Sequence, residues 1–366
     1  MNNANELVGG DSYKTYPKKI LFLSNLPTPY QLDFFDEVNH NHSVLAIFLW
    51  KKEENRDWTL SERPWIKTLA DQVVEPSWQK LSTQIKDFMP DAVIVGGYKL
   101  PLANRLKFYC LTKNIPYFYW LEKPLPSEWW KRLLRSIAWR FTLPFASGIF
   151  GIDSEAVRVY GRYNKNCVKL PYSIDVSKYV SPQKKNAKAP IRCIYVGQFI
   201  ERKGLNELLN AFSLISNDSA TLTLAGSGVL SPLVGEYCHK YNHIRDLGFV
   251  NPSDLPLLFS EYDLFILPSK HDGWAVVIAE AMACGLPVIG TSSTGAFADL
   301  VIPNKCGIEC LVNSESIRNA ILFYVNNPKS LDKHGDIAKE VVVESLANSK
   351  NAAKKLIDTV FFKPKL

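Results

Sequence analysis

Paired cysteines are the first thing this sequence lacks. It has seven cysteines in 366 residues, none in Cys-x-x-Cys spacing, and several lie inside apolar stretches such as Arg192-Cys193-Ile194-Tyr195. An odd, dispersed set fits reduced, buried thiols of a cytoplasmic protein better than a disulfide framework. Long apolar runs are missing as well. The nearest, Phe141 to Ile152, is interrupted by Pro144 and falls short of the ~18–20 residues a membrane-spanning helix needs, so any membrane contact is expected to be peripheral. The first 17 residues have neither a basic start nor an apolar core and read as a flexible lead-in. Glycine (19) and proline (22) follow no period and no internal repeat stands out, which excludes collagen-like and low-complexity chains. Long Lys/Arg blocks are also absent. The 43 basic residues outnumber the 36 acidic ones by seven but are scattered, and no nucleic-acid motif accompanies them. The excess is read as attraction to phosphates on a small substrate or a lipid head group, with no nucleic-acid partner.

What remains, 46% hydrophobic and 22% charged, is an ordinary globular composition, and the length suggests two domains. Short apolar runs at Ile20 to Leu23, Leu45 to Trp50, Ala92 to Val95, Tyr117 to Leu121 and Gly148 to Ile152 alternate with helical sequence. That grammar predicts a parallel sheet covered on both faces. It breaks at the polar, basic, proline-flanked stretch 181–190 and restarts at Ile191 to Val196, Thr221 to Ala225, Ile244 to Gly248, Leu264 to Leu267 and Pro287 to Ile289. The expected organisation is therefore a lead-in (1–17), a first α/β domain (18–180), a linker (181–190), a second α/β domain (191–335) and a helical end (336–366) that runs back across the junction. Two such domains leave a cleft between the carboxyl ends of their strands, where open parallel sheets bind ligands.

Three segments of the second half carry chemistry. In Tyr195-Val196-Gly197-Gln198-Phe199-Ile200-Glu201-Arg202-Lys203-Gly204 a strand ends at Gly197 and a helix begins near Gly204, with two cations at its mouth. This fits a diphosphate site, and a solvated basic turn is the plain alternative. Ala225-Gly226-Ser227-Gly228 is a second strand-end glycine turn, weak alone because such turns usually hold no ligand. In Asp263 to Val288 a buried strand ends at Pro268, a loop carries Asp272-Gly273, and a helix is expected from there to Cys284, stopped by Gly285. Asp272 and Glu280, eight residues apart, would lie on much the same helix face and accept hydrogen bonds from sugar hydroxyls, while the amides of Gly273, Trp274, Ala275 and Val276 donate to an anion. His239 and His243 are spaced i,i+4 but lack the glutamate of a zinc-protease motif and read as surface residues; His40 and His42 are no more persuasive.

With these motifs in order, the sequence resembles a retaining glycosyltransferase of family 4. In that resemblance Asp272 stands for the first Glu of a Glu-x7-Glu motif, Glu280 is the second, and Ala281-Met282-Ala283-Cys284-Gly285-Leu286-Pro287-Val288 follows it. Gly248-Phe249-Val250 and Gly295-Ala296 leading to Asp299-Leu300-Val301 match further marks. The match is strong over 191–310 and loose over 18–175, where Pro171-Tyr172-Ser173-Ile174-Asp175 contributes. The resemblance implies the GT-B fold, two Rossmann-like doubly wound domains facing each other across a cleft. It implies a nucleotide-sugar donor, with Arg202 and Lys203 on the diphosphate, Glu280 on the ribose, Gly197, Gly226, Phe249 and Val250 around the nucleotide, and Asp272 with the amides of Gly273 to Val276 on the sugar. No metal and no cofactor is expected. Two departures, Asp272 for Glu and Ala275 for Gly, bear on which sugar is held and how well.

In the first domain Asn25 and Tyr30, flanking Pro27-Thr28-Pro29, and Tyr98, after Gly96-Gly97, are candidates for the acceptor side, with rigid turns the alternative. Glu122 ends a strand where many relatives carry a catalytic-side group; a surface ion pair with Lys123 is its plain reading. Between Glu128 and Phe141, Trp129, Trp130, Leu133, Leu134, Ile137, Ala138 and Phe141 recur at helical spacing among Lys131, Arg132, Arg135 and Arg140. Such a helix either packs its stripe on the sheet or lies in the interface of an anionic membrane, and periodicity does not choose between them. The function expected from the resemblance is sugar transfer to a saccharide or lipid-linked saccharide acceptor in surface-polysaccharide synthesis, in the cytoplasm or at the inner face of its membrane. The alternatives are a nucleotide-sugar epimerase on the same architecture and a non-catalytic sugar-nucleotide or lipid-binding partner.

Overall fold

The structure, a computed structural model, describes residues 16–51, 62–70, 76–97, 102–125, 127–179 and 190–362. The linker expected at 181–190 lies outside the described residues except for Pro190, and so does Tyr98.

Seven strands form the first sheet: β1 Lys19–Ser24, β2 Ser43–Trp50, β3 Ile66–Ala70, β4 Ala92–Gly96, β5 Tyr117–Leu121, β6 Gly148–Gly151 and β7 Cys167–Lys169. All pair in parallel in the order β3-β2-β1-β4-β5-β6-β7. Because side chains alternate across a strand, β1 serves two cores. Leu21 and Leu23 face one with Val93 and Val95, while Ile20 and Phe22 face the other with Ile94. Helices α1 Pro29–Asn39, α2 Trp78–Phe88, α3 Ala103–Thr112, α4 Trp129–Arg140 and α5 Ser154–Tyr160 join the strands. Leu81 and Ile85 of α2, Leu106 of α3 and Trp139 of α4 cover the first face; Phe34 and Phe35 of α1 cover the second.

The second sheet, also all parallel, runs β10-β9-β8-β11-β12-β13. Its strands are β8 Ile191–Val196, β9 Ala220–Ala225, β10 Ile244–Asp246, β11 Leu264–Leu267, β12 Val288–Gly290 and β13 Gly307–Glu309. Its helices are α6 Leu205–Phe212, α7 Ser231–Lys240, α8 Leu255–Ser260, α9 Val276–Ala283, α10 Ile302–Asn304 and α11 Ser314–Asn326. Strand order reverses beside β1 and β4 in one sheet and beside β8 and β11 in the other. The connections leaving those strands carry Asn25, Tyr30, Gly197, Arg202, Lys203 and Asp272, at the switch points where open parallel sheets bind ligands.

The end of the chain ties the two halves together. Helix α12, Lys329–Glu344, packs on α9 and runs unbroken through 335/336, so the break falls later, at Ser345 to Asn348. There the Asn348 side chain caps α13 Ser349–Ile357, which packs on α1. The Ile174 amide donates to the Ala347 carbonyl at 2.9 Å and the Ser349 amide donates to the Ile174 carbonyl at 2.9 Å. A second polar seam is made by Asp299. Its Oδ2 accepts from the Ser154 amide and hydroxyl, each at 2.9 Å, and from Lys169 Nζ at 3.1 Å. One of the two histidine readings changes. His243 is buried, its Nε2 lying 3.1 Å from the Phe212 carbonyl, because the strand start at Ile244 draws it inward; His239 is exposed.

Leu356 of α13 is fully buried. Leu356→Ala is expected to cost about 2–4 kcal/mol in urea unfolding through lost burial and a residual cavity, and to loosen α13 from α1.

Candidate functional site

A cleft of about 610 Å³ lies between the carboxyl edges of the two sheets. From the second domain it is lined by Gly197 after β8, Gly226 after β9, Phe249 and Val250 after β10, Arg202 and Lys203, the loop from His271 to Ala275, and Val276 and Glu280 of α9. Tyr30, Glu122, Leu125 and Tyr172 line it from the first. The structure thus brings together every second-domain candidate with Tyr30 and Glu122. Asn25 stays out: it is exposed, outside the lining, and its carbonyl accepts from the Trp50 amide.

The floor is two loops pressed together. At Gly226 a Cβ would overlap the Gly197 carbonyl, so glycine is what lets these strand ends touch. Arg202 and Lys203 lie in a single 3-10 turn, Glu201–Lys203, that precedes α6. Arg202 Nη1 donates to the His271 carbonyl at 2.7 Å and stands 3.6 Å from Asp272 Oδ2. Lys203 Nζ donates to that same Asp272 oxygen. Sequence reasoning gave the cations and the carboxylate separate duties; in the structure they hold each other.

Asp272 is not at the start of a helix. Ala275 adopts a left-handed backbone (φ 63°), which interrupts helical geometry until Val276. Asp272 is placed instead by a parallel bridge to Thr294, its amide donating to the Ser293 carbonyl, while the Ala296 amide donates to the Trp274 carbonyl at 2.9 Å. The free helical amides therefore begin at Val276, and the preceding residues present loop amides.

Glu280, on α9, is half-buried at the cleft; its Oε1 accepts from the Tyr179 hydroxyl at 3.0 Å. Burial pushes its carboxyl up to about 7, opposed by the Tyr179 hydrogen bond and assisted by the Asp33 charge. Glu122 is exposed at the cleft wall, yet partial desolvation and the Asp272 charge raise its carboxyl, opposed by the Tyr172 hydroxyl that donates to it. It is not a surface partner of Lys123. A Cβ at Gly273 would overlap its carboxylate, so this first-domain side chain rests directly on second-domain backbone. Lys123 turns away, donating to the Ser293 carbonyl at 2.8 Å and lying 3.6 Å from Asp153.

Sequence reasoning missed Tyr172, Tyr179 and His271. Tyr172 stacks between Tyr30 and Trp120, with ring centroids 5.0 and 5.2 Å away, and only its place in the Pro171 to Asp175 segment hinted at it. Burial and the nearby Lys123 hold the His271 imidazole below its usual range.

Residues 178–341 match the family described as Glycosyl transferases group 1. A 153-residue stretch, 40% of this chain and 38% of the relative, is 35% identical to O-antigen chain mannosyltransferase B of Escherichia coli. A 195-residue stretch, 52% of this chain and 47% of the relative, is 23% identical to glycogen synthase of Mycobacterium tuberculosis. These matches span about half the length of the curated relatives, or less. Among solved structures, Anabaena HepE in complex with UDP and glucose superposes with a TM-score of 0.72 at 17% identity, covering 94% of this chain and 100% of that one.

A carboxyl raised by burial favours the native state when protonated and weakens it when ionised. Stability from this group is therefore present below the unfolded value near 4.5 and lost as pH rises through about 7. At about 1.4 kcal/mol per pH unit, Glu280→Gln is expected to stabilise the fold by up to about 3 kcal/mol at pH 8 and by almost nothing at pH 4.5. Denaturant midpoints at the two pH values check this.

Proposed function

We propose that this protein, whose residues 178–341 match group 1 glycosyltransferases and whose two sheets are arranged as in GT-B structures, transfers a sugar from a nucleotide-sugar donor to a hydroxyl acceptor with retention of anomeric configuration, the acceptor being a lipid-linked saccharide of a surface polysaccharide. The observation that carries the reading is the meeting of Arg202, Lys203, Asp272 and Glu280 in one cleft whose opposite wall carries Glu122. The HepE complex with UDP and glucose, and the O-antigen role in the name of the E. coli relative, support the donor and acceptor classes.

In this reading the donor diphosphate takes Arg202 and Lys203 away from Asp272, exchanging one anionic partner for another. Asp272, released, accepts from a sugar hydroxyl, and Glu280 accepts from the ribose hydroxyls. The base lies along Phe249 and Val250. The acceptor oxygen then attacks the anomeric carbon on the face the leaving group departs from. The carbon–oxygen bond to the phosphate breaks, and the acceptor proton passes to the leaving phosphate oxygen. The protein supplies orientation and charge stabilisation. Leaving-group charge is met by the two cations and the loop amides, so the reading needs no metal ion. Glu122, poised by Tyr172 beside Tyr30, positions the acceptor hydroxyl.

Helix α4 supports a membrane-borne acceptor. Its apolar stripe does not pack on the sheet. Trp129 is 70% exposed and Leu134 60%, with Leu133, Ile137 and Phe141 also exposed; Trp139, outside the stripe, is the residue that turns inward. Lys131, Arg132, Arg135 and Arg140 complete a basic amphipathic face suited to an anionic bilayer, which supports a peripheral position at the inner face of the cytoplasmic membrane. Among the described residues, no helix is long and apolar enough to cross one.

A thermal-shift screen against UDP, GDP, ADP and CMP is expected to show stabilisation by one of them, lost in the Arg202→Ala/Lys203→Ala double variant. Asp272→Asn is expected to keep or tighten nucleotide binding while lowering transfer by about 10–100-fold. A flat response to every nucleotide by folded protein overturns the reading. Separately, co-sedimentation with phosphatidylglycerol vesicles is expected to fall sharply in Leu133→Glu/Leu134→Glu; undiminished binding removes α4 from the membrane contact.

A further inference from the structure

Tyr179 belongs to the 3-10 turn Val176–Tyr179, the last stretch described before residue 180, yet its hydroxyl donates to Glu280 Oε1 at 3.0 Å on the far side of the domain junction. The last two residues of the turn are held from two sides. Lys178 Nζ reaches Asp33 on α1 at 2.6 Å, and the Cys284 thiol, just after α9, donates to the Tyr179 carbonyl at 3.5 Å. Tyr179 itself is only 6% exposed. Its hydroxyl occupies one oxygen of Glu280, which leaves the other free for a ligand entering the cleft.

We propose that Tyr179 is a positioning residue for the donor: through one hydrogen bond it holds the Glu280 carboxylate in the anionic form that accepts from the ribose hydroxyls. The inference rests on the donor-site reading above and adds to it a residue that the sequence motifs did not single out. A hydrogen bond to the charged form is the favourable contribution at this carboxylate. Against it stand burial and the Asp33 charge on α1, partly met by Lys178. The Cys284 thiol, pushed up to about 12 mainly by burial and opposed by the Lys339 charge of α12, stays neutral. Removing the Tyr179 hydroxyl therefore leaves Glu280 with burial and like charge alone, and its titration moves to higher pH.

The test is titration of UDP, GDP and ADP into wild-type protein, Tyr179→Phe and Glu280→Ala at pH 6.5 and 8.5. Tyr179→Phe keeps the ring and its packing. For whichever nucleotide binds, Tyr179→Phe is expected to weaken binding about fivefold or more at pH 6.5 and by no more than about twofold at pH 8.5. Glu280→Ala is expected to weaken it at both. Equal affinity of Tyr179→Phe and wild type at both pH values overturns the proposal alone, and so does a loss independent of pH. If no nucleotide binds the wild-type protein, the donor-site reading falls and takes this proposal with it.

Discussion

Every described strand pair in this protein is parallel, and that constraint governs where its chemistry sits. A parallel strand cannot be joined to its neighbour by a tight turn; the chain must return through a crossover, so all strand-to-helix loops emerge at one edge. With two such sheets set edge to edge, the loops after β1, β5, β8, β9, β10 and β11 converge on one cleft. Polar groups that would be costly inside either core meet there, at the one place where a ligand can satisfy them.

The junction is built from ordinary interactions used across the gap. Glu122 rests on the backbone of Gly273, Asp299 gathers Ser154 and Lys169, and the Ile174 backbone bonds to both sides of Asn348. Each of these contacts pairs a side chain or backbone group of one domain with the other. The relative setting of the domains therefore decides whether Glu122 faces Asp272 and whether Tyr179 reaches Glu280. Packing on α1 by α13 extends the same control to the far end of the chain.

Much of this was legible in the sequence for a physical reason. Central parallel strands are buried on both faces and so appear as unbroken apolar runs, as at Ile20 to Leu23 and Val93 to Val95. Edge strands carry no such signature. β3 is half exposed, β7 and β13 are three residues each, and none was anticipated. Helix α4 shows a different limit: periodicity identifies an apolar stripe but not the side that packs, and here the sheet takes Trp139 and leaves the stripe outside. In the site, Asp272, Glu280 and the cations stood out because they sit in a dense local pattern. Tyr179 and the Glu122–Gly273 contact did not, because both depend on residues more than a hundred positions apart meeting in space.

The electrostatics of the free cleft follow from that meeting. Lys203 is nearly buried, and a buried cation without a partner is costly, so the free cleft pairs it with a carboxylate. Asp272 supplies the partner. A residue one methylene shorter than glutamate still reaches Lys203 because the Thr294 bridge draws the loop toward β12, and the left-handed Ala275 lets the chain re-enter α9 immediately afterwards. In the proposed function, the donor diphosphate displaces this existing ion pair, and its net affinity is the difference between two anions competing for the same cations. Selectivity for a doubly charged diphosphate over a single carboxylate is, on that proposal, a property of the loop that carries Asp272.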